Sequence, residues 1–122
     1  MSAPQPVGIA TTELAELVLE VAQQVPAGRA TTYGLVAEAV RDVTGRGSAR
    51  YVGTVLSRHG YRVPWWRVVR ADGTLPRQLR AEASARYENE GTPLEPLVPT
   101  MIDLRRALWD APTEWKAPDR HA

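Results

Sequence analysis

"SARYVGTVLSRHGYRVPWWRVVRADG", residues 48–73, joins a two-sided helical pattern to a pair of adjacent indoles and a strand-and-turn pattern. Its first eleven residues have the spacing of a helix with two unlike sides, started by Ser48 or Gly47. Val52, Val55 and Leu56 form one apolar stripe. The opposite side, with Ser48, Arg50, Tyr51, Thr54 and Arg58, is basic and rich in hydroxyls. Gly53 at mid-helix costs about 1 kcal/mol against alanine. It therefore points either to close approach of something to the backbone or to a helix packing contact. Past the adjacent indoles Trp65 and Trp66, "RVVR" has the β-branched character of a strand and "ADG" supplies a tight turn. Thr74 and Leu75 then start a return strand that Pro76 ends.

Working outward, residues 1–10 read as a flexible leader with Pro4, Pro6 and Gly8. From Thr12, the residues Leu14, Leu17, Val18, Val21 and Val25 recur at helical spacing until Pro26 and Gly28 close the segment. Thr31 or Thr32 can cap a second helix carrying Val36, Ala37 and Val40, which Gly45 and Gly47 break. Helix, turn, helix and hairpin wing make a mainly α chain with a small β-hairpin, the plan of a winged helix-turn-helix. The expected organisation is one such domain over residues 11–91, followed by an extension over 92–122. Beyond the hairpin residues 78–88 have weak helical periodicity, "GTPLEPLVP" is a proline-punctuated connector, and "TMIDLRRALWD" in the extension reads as a short helix with Thr100 and Asp103 placed like a capping box. Trp109 and Trp115 are expected to anchor it, and the last ten residues to form a frayed tail.

The net charge of +1 hides an arrangement. Residues 1–27 carry three acids and no base, a balance of −3. Residues 28–86 carry eleven arginines against Glu38, Asp42, Asp72 and Glu82, a balance of +7, and residues 87–122 return to −3 with seven acids and four bases. Fourteen of the fifteen bases are arginine, the side chain that forks onto phosphate and guanine edges and stacks on bases. A basic middle between acidic ends favours a nucleic-acid surface over a merely solvated one. With no cysteine and two histidines, His59 and His121, the chain lacks disulfides, thiolate metal sites and cysteine nucleophiles, so neither a metal nor another cofactor is expected. No apolar run approaches a membrane span and no basic-then-apolar leader is present, which leads to the expectation of a cytoplasmic, nucleoid-associated protein with no membrane partner. Paired carboxylates, a nucleophile with its base and a phosphate loop are all missing from the motifs, so an enzyme of another class has little support.

Three blocks in order, "VPAGRATTYGLVAEAV", "GSARYVGTVLSRHG" and "VPWWRVVRADG", resemble the DNA-binding domain of the O6-alkylguanine-DNA alkyltransferases. The likeness is greater still to the alkyltransferase-like proteins that lack the reactive thiol, and it covers roughly residues 14–91. Trp65 stands where the enzymes have the cysteine that takes the alkyl group, so the resemblance implies recognition without transfer. It further implies a base-flipping finger at Arg50, whose guanidinium replaces the everted base. Tyr33 would act on the phosphate 3′ of the target, and Thr32, Ser48, Ala49, Tyr51, Gly53 and Thr54 would meet the duplex. Trp65, Tyr33, Arg67 and Val68 would form the lesion pocket, with Trp65 a flat wall for an extruded alkylguanine.

There are two departures. Trp66 replaces a family histidine, leaving Glu90, which matches that histidine's partner, expected to lack its usual companion. Neighbouring residues of an extended loop face opposite ways, so one of the two indoles is expected in the core; the match of Trp65 to the cysteine position implies that Trp65 takes the pocket and Trp66 the packing. The glycine- and tyrosine-containing loop that follows the family's hairpin has no clear counterpart in "TLPRQLRAEAS". The implied function is a monomeric, non-enzymatic protein that recognises O6-alkylguanine in double-stranded DNA by base flipping and hands the complex to nucleotide excision repair proteins. A second reading stays open: a general or sequence-specific winged-helix DNA-binding protein in which Trp66 and the altered segment close the pocket.

Overall fold

A computed structural model describes the backbone of residues 5–118 and the side chains of residues 13–118. Its elements in order are α1 (Gln5–Gln24), β1 (Thr31–Thr32), α2 (Tyr33–Thr44), α3 (Ala49–His59), β2 (Val68–Val69), α4 (Arg80–Glu90), β3 (Leu94–Glu95), β4 (Val98–Ile102), α5 (Leu104–Ala107) and α6 (Ala111–Glu114). Single 3-10 turns lie at Gly60–Arg62, Trp65–Arg67 and Arg77–Leu79. Helix α1 begins earlier than Thr12, so residues 5–10 of the expected leader are helical. Pro6 falls in its first turn, where a missing N–H costs no intrahelical bond. Residues 1–4 of that leader lie outside the described residues.

Helices α2 and α3 are each fixed by a hydroxyl cap. Thr32 Oγ1 accepts from the Leu35 amide at 3.1 Å, and Ser48 Oγ accepts from the Tyr51 amide at 3.1 Å. Each bond satisfies one orphan donor of a first turn and sets where the helix starts. Valines and leucines of α1, α2 and α3 bury together in one core that also takes in Trp109, Ala111 and Trp115. A second core gathers Ala30, Val69, Leu75, Ala83, Tyr87, Ile102 and Ala107. Strand β2 lies between them, and its alternation sends Val68 into the first core and Val69 into the second.

The expected wing is in a different place. Val68 and Val69 pair in parallel with Thr31 and Thr32. The "ADG" turn forms, closed by bonds from the Arg70 amide to Thr74 O at 2.9 Å and from the Gly73 amide to Arg70 O at 2.8 Å. No return strand follows it, because Ile102 of β4 takes that space and donates its amide to Gly73 O at 2.9 Å. Gly73 has φ +87°, and a Cβ there would stand 2.3 Å from the Ile102 carbonyl oxygen, so this approach requires glycine. The antiparallel pair is β3–β4, formed from the expected connector and the first three residues of the expected helix over 100–110, of which only Leu104–Ala107 is helical.

The C-terminal segment also departs from expectation. Asp103 caps α5 by accepting from the Arg105 amide at 3.1 Å, whereas Thr100 lies in β4 and makes no capping box. Residues 113–115 of the expected frayed tail are ordered into α6 and Trp115, which is 8% exposed. Gln24 and Lys116 exchange side-chain and backbone hydrogen bonds at 3.0 and 2.8 Å, tying this end to α1. Trp109 is buried too, so both indoles seal the first core. Residues 119–122 of the tail lie outside the described residues.

Candidate nucleic-acid interface

A cavity of about 550 Å³ opens beside α3. Residues Gly53, Leu56 and Ser57 line it from the helix, at the i, i+3 and i+4 positions of one face, and Gly60 from the 3-10 turn that follows. Tyr33, the first residue of α2, and Trp65 form further walls. The remaining side comes from Leu75, Pro76, Gln78, Leu79 and Glu82, around the start of α4. Thus "TLPRQLRAEAS" supplies a wall although it lacks the glycine- and tyrosine-containing loop. Tyr61 stands at the mouth, 81% exposed, and sequence reading gave it no role. A large aromatic in the loop after a basic helix was the available signal.

Arg50 is exposed and lies one turn before Gly53 on the same face of α3. Ser48, Ala49 and Thr54 are exposed beside it. Ser48 and Thr32 accept amide bonds through their caps, which leaves each hydroxyl its proton to donate. Thr54 Oγ1 donates to Arg50 O at 3.2 Å and keeps only acceptor capacity. Tyr51 is half-buried against the first core, and burial raises its pKa while Arg46 opposes the rise. The Tyr33 phenol is likewise pushed up by burial, with Arg70 pulling the other way. An added Cβ at Gly53 would meet nothing within 4 Å, so this glycine is no packing contact.

The arginines fall into two sets. Arg62 grips Glu16 through two bonds at 3.0 and 3.1 Å and fastens the loop after α3 to α1. Arg29 donates to the carbonyls of Ala107 and Leu108, and Arg80 to that of Leu75. By contrast Arg46, Arg50, Arg58 and Arg70 are exposed and make no ion pair among the described residues. The first set holds the fold; the second leaves positive charge available at the surface.

Two expected pocket residues lie elsewhere. Val68 is fully buried in the first core because strand alternation turns it away from the cavity. Arg67, with a side chain 17% exposed, pairs with Glu90 at 2.5 Å and donates to Val25 O at 2.8 Å. Its guanidinium is consumed in neutralising a carboxylate that is only 13% exposed. Glu90 is therefore far from partnerless. Besides Arg67 it receives the Trp66 indole N–H at 3.1 Å and the Gly28 amide at 3.2 Å. Burial would raise its pKa, but bonds from Arg67, Gly28 and Trp66 outweigh that and hold it below the ordinary glutamate value. Tyr87 donates its phenol to Trp66 O at 2.6 Å, and the Arg86 guanidinium stands 4.4 Å from the Trp66 ring centroid. Trp66 is thus held on the α4 side, outside the cavity that Trp65 lines.

Among the described residues no cluster of three His, Cys, Asp or Glu is placed to hold a metal, and no helix is long and apolar enough to cross a membrane. Residues 13–92 match the family model described as 6-O-methylguanine DNA methyltransferase, DNA binding domain. Two solved structures share the fold. One is S. pombe Atl1 in complex with damaged DNA containing O6-carboxymethylguanine, at 25% identity and TM-score 0.66, covering 80% of this chain and 95% of that one. The other is S. pombe ATL in complex with DNA, at 25% identity, TM-score 0.65 and the same coverage of 80% and 95%. No curated protein matches the chain significantly.

Proposed function

Because the chain belongs to the family of the 6-O-methylguanine DNA methyltransferase DNA-binding domain, in its alkyltransferase-like form, we propose that it recognises O6-alkylguanine in duplex DNA without repairing it. The observation that carries this reading is the open cavity beside α3, walled by Trp65 and Tyr33, with Arg50 one turn away on the same helix face. An everted purine stacks on an indole with about 1–3 kcal/mol per base. Arg50 can take its place in the duplex, hydrogen-bonding the orphaned partner while its plane replaces lost stacking. Tyr33 meets the phosphate next to the target, and Ser48 and Thr32 donate their hydroxyl protons to the backbone.

Transfer chemistry has no nucleophile here: the sequence contains no cysteine, and an indole offers neither an ionisable nucleophile nor a leaving-group path. The product of recognition is then a bent, flipped complex, formed by a monomer and passed to nucleotide excision repair proteins in the cytoplasm. A general binder with a closed pocket fits less well, since Trp66 packs on Glu90 and leaves the cavity open. A gel shift on one duplex with and without a single O6-methylguanine tests the reading. Preference for the damaged duplex supports it; equal affinity with a steep salt slope supports the general binder.

A further inference from the structure

Glu82 is the one lining residue of the cavity that carries a formal charge. It stands in the first turn of α4, next to the neutral wall of Leu75, Pro76, Gln78 and Leu79. Any acid in that turn would complement the helix dipole, but this one also borders the space offered to an extruded base. Its charge is only loosely balanced. Arg86 lies 3.8 Å away in an exposed pair, and its guanidinium is shared with the Trp66 ring at 4.4 Å. Arg80, in the same turn, is turned to the Leu75 carbonyl at 2.7 Å. Neither arginine lines the cavity.

We infer that Glu82 is a specificity-determining residue, which makes the cavity favour neutral O6 adducts over anionic adducts of equal bulk. The inference rests on the lesion-binding reading and refines it to a class of ligand. A carboxylate on the adduct would meet the Glu82 carboxylate at the exposed edge of this neutral wall, where solvent screens the two charges only in part. Like charges several ångströms apart in such a half-solvated site are expected to lower affinity about three- to tenfold. The effect should shrink with added salt.

Fluorescence anisotropy on the full chain, with duplexes carrying one O6-propylguanine, one O6-carboxymethylguanine or guanine, tests this. The propyl duplex should bind three- to tenfold more tightly than the carboxymethyl duplex at low salt, and Glu82→Gln should bring the two together. Exposed ion pairs contribute little to stability, so this variant should fold as the parent does. Equal or tighter binding of the carboxymethyl duplex by the parent overturns the inference, as does a gap that survives Glu82→Gln. If neither adduct binds better than guanine, the lesion-binding reading itself fails and the inference goes with it.

Discussion

The indole N–H of Trp66 donates to Glu90 Oε2 at 3.1 Å, while the Trp66 ring meets that of Trp65 edge-on, at 87° with centroids 5.6 Å apart. The first ring is thereby tied to α4 and packs perpendicular to the second, which lines the cavity. Tyr87 adds a bond to the Trp66 carbonyl at 2.6 Å and holds the backbone of the same turn.

Trp66→Phe keeps an aromatic ring, smaller by the fused ring of the indole, and removes the donor to a carboxylate. Loss of this charge-assisted bond should cost about 1–2 kcal/mol in chemical denaturation. Glu90 retains Arg67 and Gly28, so the variant should still fold. Unchanged stability would show that the indole N–H contributes nothing.

Gly53→Ala separates folding from binding. With open space around the added methyl group, alanine should stabilise α3 by about 0.5–1 kcal/mol. If the duplex approaches this backbone, affinity for DNA should fall at the same time. A thermal melt and a binding titration of the same preparation check both, and a more stable protein with undiminished affinity argues against contact at Gly53.

Arg50→Ala removes an exposed side chain with no ion pair, so stability should stay within about 0.5 kcal/mol. As a base-replacing finger, it should erase the preference for a damaged duplex and leave binding to undamaged DNA nearly intact. A uniform loss on both duplexes, with a shallower salt slope, would identify a plain phosphate contact instead.

Trp65→Ala removes the stacking wall. Affinity for an O6-alkylguanine duplex should drop by about 1–3 kcal/mol, whereas affinity for undamaged DNA should hold. Competition titrations with the two duplexes distinguish this from a general collapse of the site, which would weaken both.

Glu90 should make stability fall in acid. Its folded pKa lies below the usual 4.5, so its contribution is complete above that value and is lost as pH drops through the folded pKa. Denaturation midpoints measured from neutral pH down through the carboxylate range should show this slope in the parent. Glu90→Gln should be less stable at neutral pH and should lack that part of the slope.

The order of amino acids was enough to give the helices of the first core and the absence of a thiol. Helical stripes such as Val52, Val55 and Leu56 arise from neighbours three and four residues apart, so they are legible locally. The two adjacent indoles, expected in an extended loop with alternating sides, lie instead in the 3-10 turn Trp65–Arg67, where neighbours are offset by about a third of a turn.

Only tertiary structure decided where the wing forms, what Glu90 binds and which residues wall the cavity. Two-residue strands have no period to read, and Val68–Val69 takes its partner from Thr31–Thr32, far away in sequence. Arg67 looks like any pocket arginine until Glu90 is brought beside it, and the cost of burying that carboxylate then fixes its role. Leu75, Leu79 and Glu82 become a wall only when α4 docks, because a cavity belongs to surfaces that meet across the chain rather than along it.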